Sequence, residues 1–93
     1  IIVVENSKDI ELKKILEKKY QNVSVIIPET NTGNGGGANV GLKQANSKFV
    51  LYLDVDVELN KTTIDTLYLY AKHYEFVYAY RYQQLLCYQT EYF

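Results

Sequence analysis

Residues 49–59, FVLYLDVDVEL, constrain this chain more than any other stretch: an apolar run ends on two carboxylates, Asp54 and Asp56, two positions apart. Phe49, Val50, Leu51, Tyr52 and Leu53 follow one another without polar alternation. That is the pattern of a strand buried on both faces, as in a parallel sheet. Acids at the end of such a strand are badly placed for stability, but they sit where open α/β sheets bind ligands, beyond the carboxyl ends of the strands. Carboxylates at i and i+2 on extended backbone point to the same side and can share one hard cation that prefers oxygen ligands. The pattern points to a divalent-metal site for a phosphorylated ligand. The competing reading is that Asp56 or Asn60 caps the next helix, with Asp54 a solvated loop acid.

At 93 residues the chain is at most one small domain, and with 47% hydrophobic residues a folded core is expected. A net charge of -1, with lysines scattered among acids, leaves no basic stripe for nucleic acid or an anionic membrane. The single cysteine, Cys87, excludes an internal disulfide framework and fits a reducing compartment, so a cytoplasmic location is expected. No apolar stretch approaches a membrane span. The chain has no methionine and opens directly on the strand-like IIVVEN, so it is expected to be a piece of something longer.

Along the chain, residues 1–4 read as a strand and residues 9–20 as a helix, with Asn6 or Ser7 as its cap. Ile10, Leu12, Ile15 and Leu16 form its apolar stripe, and Lys13, Lys14, Glu17 and Lys18 are expected to face water. Residues 23–27 form a second strand closed by Pro28, and residues 29–37, ETNTGNGGG, are a loop on composition. A short helix over 38–45, a strand over 48–53, a helix over 61–73 with Ile64, Leu67, Tyr68 and Ala71 on one face, and a fourth strand over 75–82 complete the pattern. Strands alternating with helices imply parallel βαβ units, here an α/β three-layer sandwich with a mostly parallel sheet. Tyrosines crowd the last third, and Tyr78, Tyr80 and Tyr82 alternate onto one face. That face is read as packing against another element or another chain in preference to stacking on a base or sugar.

Gly33-Asn34-Gly35-Gly36-Gly37-Ala38 formally fits the dinucleotide fingerprint G-x-G-x-x-A. Two details count against it. The fingerprint's first glycine belongs immediately after its strand, whereas Pro28 to Thr32 intervene here, and such a match is weak in so glycine-rich a stretch.

Taken together, four segments resemble the nucleotide-sugar half of the family 2 glycosyltransferases with the GT-A (Rossmann-like) fold. IIVVENSKD is similar to that family's second strand and its acidic D-N-x-S-x-D turn; NTGNGGGANVGLKQA is similar to its N-x-G-x-x-x-x-x-N-x-G-I segment; KFVLYLDVDVEL is similar to its strand ending in the DxD motif; and the helix from Lys61 is similar to the one that succeeds that motif in the family. The resemblance covers residues 1–74.

It implies that Glu5 contacts the base or ribose of a nucleotide-diphosphate sugar. Asp54 and Asp56 stand at the DxD positions, one acid reaching the ribose and the other the Mn2+ or Mg2+ that bridges the diphosphate. Asn31, Gly33, Asn39 and Gly41 match the segment that shapes the pocket floor. The implied activity is metal-dependent sugar transfer to a saccharide or lipid-linked acceptor.

The departures from the family pattern matter equally. Glu5 replaces an aspartate in a turn one residue shorter, and Ala38 stands where many members carry arginine. The opening strand and the acceptor-binding half, which supplies the catalytic base, have no counterpart in these 93 residues, so the chain reads as a single partial GT-A domain, inactive alone. Glu75 and Glu91 read as surface acids, and no residue is assigned as the base. The alternatives are a Rossmann-like nucleotide-binding module and a non-catalytic assembly fragment. Without a central strand, the flanking strands are expected to close up or be filled in by another segment, and the chain to associate as a homo-oligomer through strand edges or the Tyr-rich C-terminal segment.

Overall fold

The computed structural model describes residues 1–75 and 77. The chain divides into two units, Ile1–Asp54 and Val55–Phe93.

In the first unit, β1 (Ile2–Val4) pairs in parallel with β2 (Ser24–Ile26), with Val3 opposite Val25. The β-branched run fixes β1. The ladder extends past its ends: Ser24 N–H donates to the Ile1 carbonyl and Glu5 N–H to that of Ile26, each at 2.9 Å. Between the strands lies α1 (Ile10–Lys19), which packs on β2, while α2 (Gly33–Gln44) packs on β1. This is the expected α/β pattern of parallel strands joined through a helix.

Asp9 caps α1, its Oδ1 accepting from Leu12 N–H at 2.8 Å; Asn6 and Ser7, the expected caps, are used elsewhere. Asp9→Ala is expected to destabilise the first unit by about 1 kcal/mol. Urea unfolding followed by circular dichroism measures it.

The faces of α1 depart from the sequence pattern. Lys13 Nζ donates to the Val25 carbonyl at 2.8 Å, and Val25 N–H donates to Glu17 Oε1 at 2.9 Å. These two charged side chains, expected in water, satisfy the backbone groups that Val25 turns away from β1. Backbone polar groups without water must find such partners, and Val25 is only 2% exposed. The stripe is correspondingly open, with Ile10 and Ile15 more than half exposed and Leu16 half-buried.

The helix α2 begins at Gly33, inside the segment expected to be loop, and contains all five glycines of the chain. Glycine costs a helix about 1 kcal/mol per residue relative to alanine. External contacts must therefore hold it, and a β-carbon on Gly41 would lie 3.4 Å from Val4 Cγ2, which measures how closely helix and strand approach.

Residues 48–53, expected as a strand buried on both faces, form no ladder, and Val50, Leu51, Tyr52 and Leu53 are each about half exposed. An apolar run specifies burial without specifying a partner, and a strand exists only against one. Among the described residues β1 and β2 pair with each other. Neither closure of the sheet onto 48–53 nor a filling strand is therefore seen among them; the expected strand over 75–82 and the tyrosine face at 78, 80 and 82 lie outside the described residues, apart from Glu75 and Val77.

In the second unit, α3 (Thr63–Ala71) starts at a knot made by Asn60: its Oδ1 accepts from Thr62 N–H at 3.1 Å, Thr62 Oγ1 at 3.2 Å and Thr63 Oγ1 at 2.8 Å. Asn60, and not Asp56, organises that helix start. Thr63, Leu67 and Ala71, four residues apart, are half-buried, whereas Ile64 and Tyr68 are exposed. Lys72 Nζ covers the Tyr68 ring at 4.7 Å from its centroid. Among the described residues, no helix is long and apolar enough to cross a membrane.

Candidate functional site

Glu5 follows β1 and folds back on its own turn. Its Oε1 accepts from Ser7 N–H at 2.9 Å and from Ser7 Oγ, and its Oε2 accepts from Asp9 N–H at 2.7 Å. The Ser7 hydroxyl, aided by these backbone donors, holds the Glu5 carboxyl below its ordinary value. Within this embrace Lys8 takes φ 63°, a left-handed conformation that L-residues adopt only when their surroundings impose it. A carboxylate with a lowered folded-state pKa contributes stability above its unfolded pKa and loses it as pH falls through the folded value. The Glu5 side-chain carbon is therefore expected to titrate by NMR with a midpoint below that of a glutamate in the unfolded chain, and the turn to persist above that range. A midpoint at or above that of a glutamate in the unfolded chain would contradict the geometry.

The second segment, Asn31 to Gly33, is joined to this turn by one side chain. Asn6 Oδ1 accepts from Thr32 N–H at 3.2 Å and from Thr32 Oγ1 at 3.0 Å, and Asn6 Nδ2 donates to the Gly33 carbonyl at 3.3 Å. Asn31 Oδ1 accepts from Gly33 N–H at 2.8 Å, which closes the turn before α2. Gly33 itself has φ 67°, so a side chain there would be strained. Glu5 and Asn31 to Gly33, expected from the sequence to share a pocket, are thus brought to one place, with Asn6 between them. Asn39 lies exposed further along α2.

Asp54 ends the first unit, exposed, and its Oδ1 accepts from the Tyr52 hydroxyl at 2.8 Å, a bond that raises the pKa of that phenol. Asp56 is exposed in a turn near the start of the second unit. Both offer hard carboxylate oxygens, the donors that Mn2+ and Mg2+ take. Among the described residues, no group of three or more His, Cys, Asp or Glu side chains could hold a metal ion.

Sequence reasoning missed Asn6, which read as a helix cap. Its signal was its position beside Glu5 after a strand, where a short amide can reach either its own chain or the next segment.

The chain matches the family model for glycosyl transferase family 2 over residues 1–86. Among curated proteins, poly(ribitol-phosphate) beta-N-acetylglucosaminyltransferase TarS of Staphylococcus aureus, in strains Mu50 and MW2, is 33% identical over 67 residues. That alignment covers 69% of this chain and 12% of the relative. No solved structure matches the chain significantly. A parallel α/β unit with the turn and glycine segments in family order, together with a model match over most of its length, gives the conclusion that this chain belongs to glycosyl transferase family 2.

Proposed function

We propose that this chain supplies the donor half of a sugar transfer, binding a nucleotide-diphosphate sugar at Glu5, Asn31, Gly33, Asn39 and Asp54, with Asp54 and Asp56 as carboxylate ligands of Mn2+ or Mg2+. The observation that carries the reading is the joining, through Asn6, of the Glu5 turn to the Asn31–Gly33 segment, two stretches that family resemblance places around the nucleotide. Asn60 takes the start of α3, as one form of the competing capping reading has it, and leaves the Asp56 carboxylate outside that knot. Bound there, the cation would supply Lewis-acid neutralisation of charge on the leaving nucleoside diphosphate. Cations of this kind are commonly held by one or two carboxylates, with substrate phosphates and water completing the shell. Glu5 holds the turn that forms one wall, and Gly33 keeps side-chain bulk away from the other.

The TarS name makes an N-acetylglucosaminyl donor the first sugar to try. The acceptor is a saccharide or lipid-linked molecule whose hydroxyl is deprotonated by a base outside this chain. With one cysteine and this donor chemistry, we place the protein in the cytoplasm. Association of chains through a strand edge or the Tyr-rich C-terminal segment belongs to the same proposal, and light scattering at tens of micromolar tests it.

The deciding experiment is an NMR titration of the chain with uridine diphosphate, deoxythymidine diphosphate and NAD, each with Mg2+, repeated with trace Mn2+. Shifts at residues 5–7 and 31–33 with a nucleoside diphosphate, at an affinity of about a millimolar, and Mn2+ broadening centred on 54–56 are the expected result. Preference for NAD would favour the Rossmann-like alternative, and binding of none an assembly role.

A further inference from the structure

We infer that Asn6 is a positioning residue of the donor site, an amide clamp that holds the Asn31–Gly33 wall in register with the Glu5 wall; the inference rests on the donor-site reading proposed for this chain. Three observations converge on it. The first turn of α2 has little to hold it in place: Thr32, at its N-cap, makes no side-chain capping bond, and the helix carries five glycines in twelve residues. Beside the local bond from Gly33 N–H to Asn31 Oδ1, what fixes that turn comes from 26 and 27 residues away, in the three hydrogen bonds of Asn6 to Thr32 and Gly33.

Second, the chemistry of the clamp admits only an amide of this length. One atom must accept from an N–H and a hydroxyl while its neighbour donates to a carbonyl. Aspartate would keep both bonds to Thr32 but turn a negative oxygen towards the Gly33 carbonyl, and alanine keeps nothing. Third, the helix closes over the clamp: Gly37 is buried, and a β-carbon there would lie 3.2 Å from Asn6 Nδ2. The glycine turn packs against the half-buried amide that holds it, while the adjacent Glu5 is fixed by Ser7 and Asp9. The two walls therefore behave as one piece through a residue that itself needs no contact with the nucleotide.

The test titrates uridine diphosphate with Mg2+ into the full chain and its variants. Asn6→Ala is expected to weaken binding about tenfold and Asn6→Asp about fivefold, in line with the loss of three and of one hydrogen bond. Amides of α1 and of the β1–β2 ladder should keep their exchange protection in both. A purely stabilising role is separated by adding Gly35→Ala, whose β-carbon enters open space and strengthens α2. If Asn6 positions the wall, Asn6→Ala with Gly35→Ala regains thermal stability but stays weak in binding; recovery of wild-type affinity in that double variant would overturn the inference. Should Asn6→Ala fail to fold, Asn6→Asp carries the same comparison. Wild-type affinity in Asn6→Asp at neutral pH would also overturn it. A wild-type chain that binds no nucleoside diphosphate removes the donor-site reading and this inference together, whereas a wild type that binds beside variants that bind equally removes this inference alone.

Discussion

Replacing Asp56 with alanine is expected to lower sugar transfer by about a hundredfold or more in an enzyme that carries this segment. On the donor-site reading proposed for this chain, the magnitude follows from the charge to be neutralised: two phosphates would leave as a diphosphate, and removing even one neutral donor from a site of developing charge costs about 10²–10³ in rate. Asp56→Asn keeps an oxygen that can ligate the cation with less charge, so part of its loss should return at raised Mn2+, whereas Asp56→Ala should not recover. Initial rates across a Mn2+ series separate the two. Near-normal turnover of the alanine variant at ordinary Mn2+ would show that the carboxylate holds no metal.

The second large effect lies in α2, where neighbouring glycines should respond with opposite signs. A β-carbon on Gly36 would stand 2.7 Å from Thr32 Cβ, closer than packed carbons allow, and Thr32 is held by Asn6 and cannot easily give way. Overpacking of this kind costs about 1–3 kcal/mol, more than the roughly 1 kcal/mol that alanine gains over glycine in a helix. Gly36→Ala should therefore be destabilised, by up to about 2 kcal/mol. At Gly35 nothing lies within 4 Å of the added carbon, so Gly35→Ala should be stabilised by about 0.5–1 kcal/mol. Denaturant midpoints of the two variants on either side of the wild type are the expected result; shifts in the same direction would mean that the first turn of α2 is not packed as described.

What could be read in the sequence was what neighbouring residues decide among themselves. The β-branched run at Ile2 to Val4 and the acidic start of α1 are local signals, and both elements stand within a residue or two of where the pattern places them. The order of strand, acidic turn, strand and glycine segment was enough for the family. What could not be read depends on partners distant in sequence. The run Val50 to Leu53 has the composition of a strand, but its pairing is set by another stretch of chain. Gly33 to Gly37 has the composition of a loop, yet it is helical because Asn6 and β1 hold it from outside. Lys13 and Glu17 have the spacing of solvent-facing residues, and only the nearness of Val25 recruits them. For the candidate site, Glu5 and Asn31 were visible as motif positions. Asn6 was not, because its role is defined by what it joins.

The clasp of Lys13 and Glu17 on Val25 limits how the sheet can grow. With both backbone groups of that residue already taken, a strand arriving at the outer rim of β2 finds neither the N–H nor the C=O of Val25 open to it. Lengthening of the sheet at Val25 is thereby disfavoured, whether the incoming strand belongs to the same polypeptide or to another. Two charged side chains on a helix thus close one position of the sheet's outer rim to further pairing.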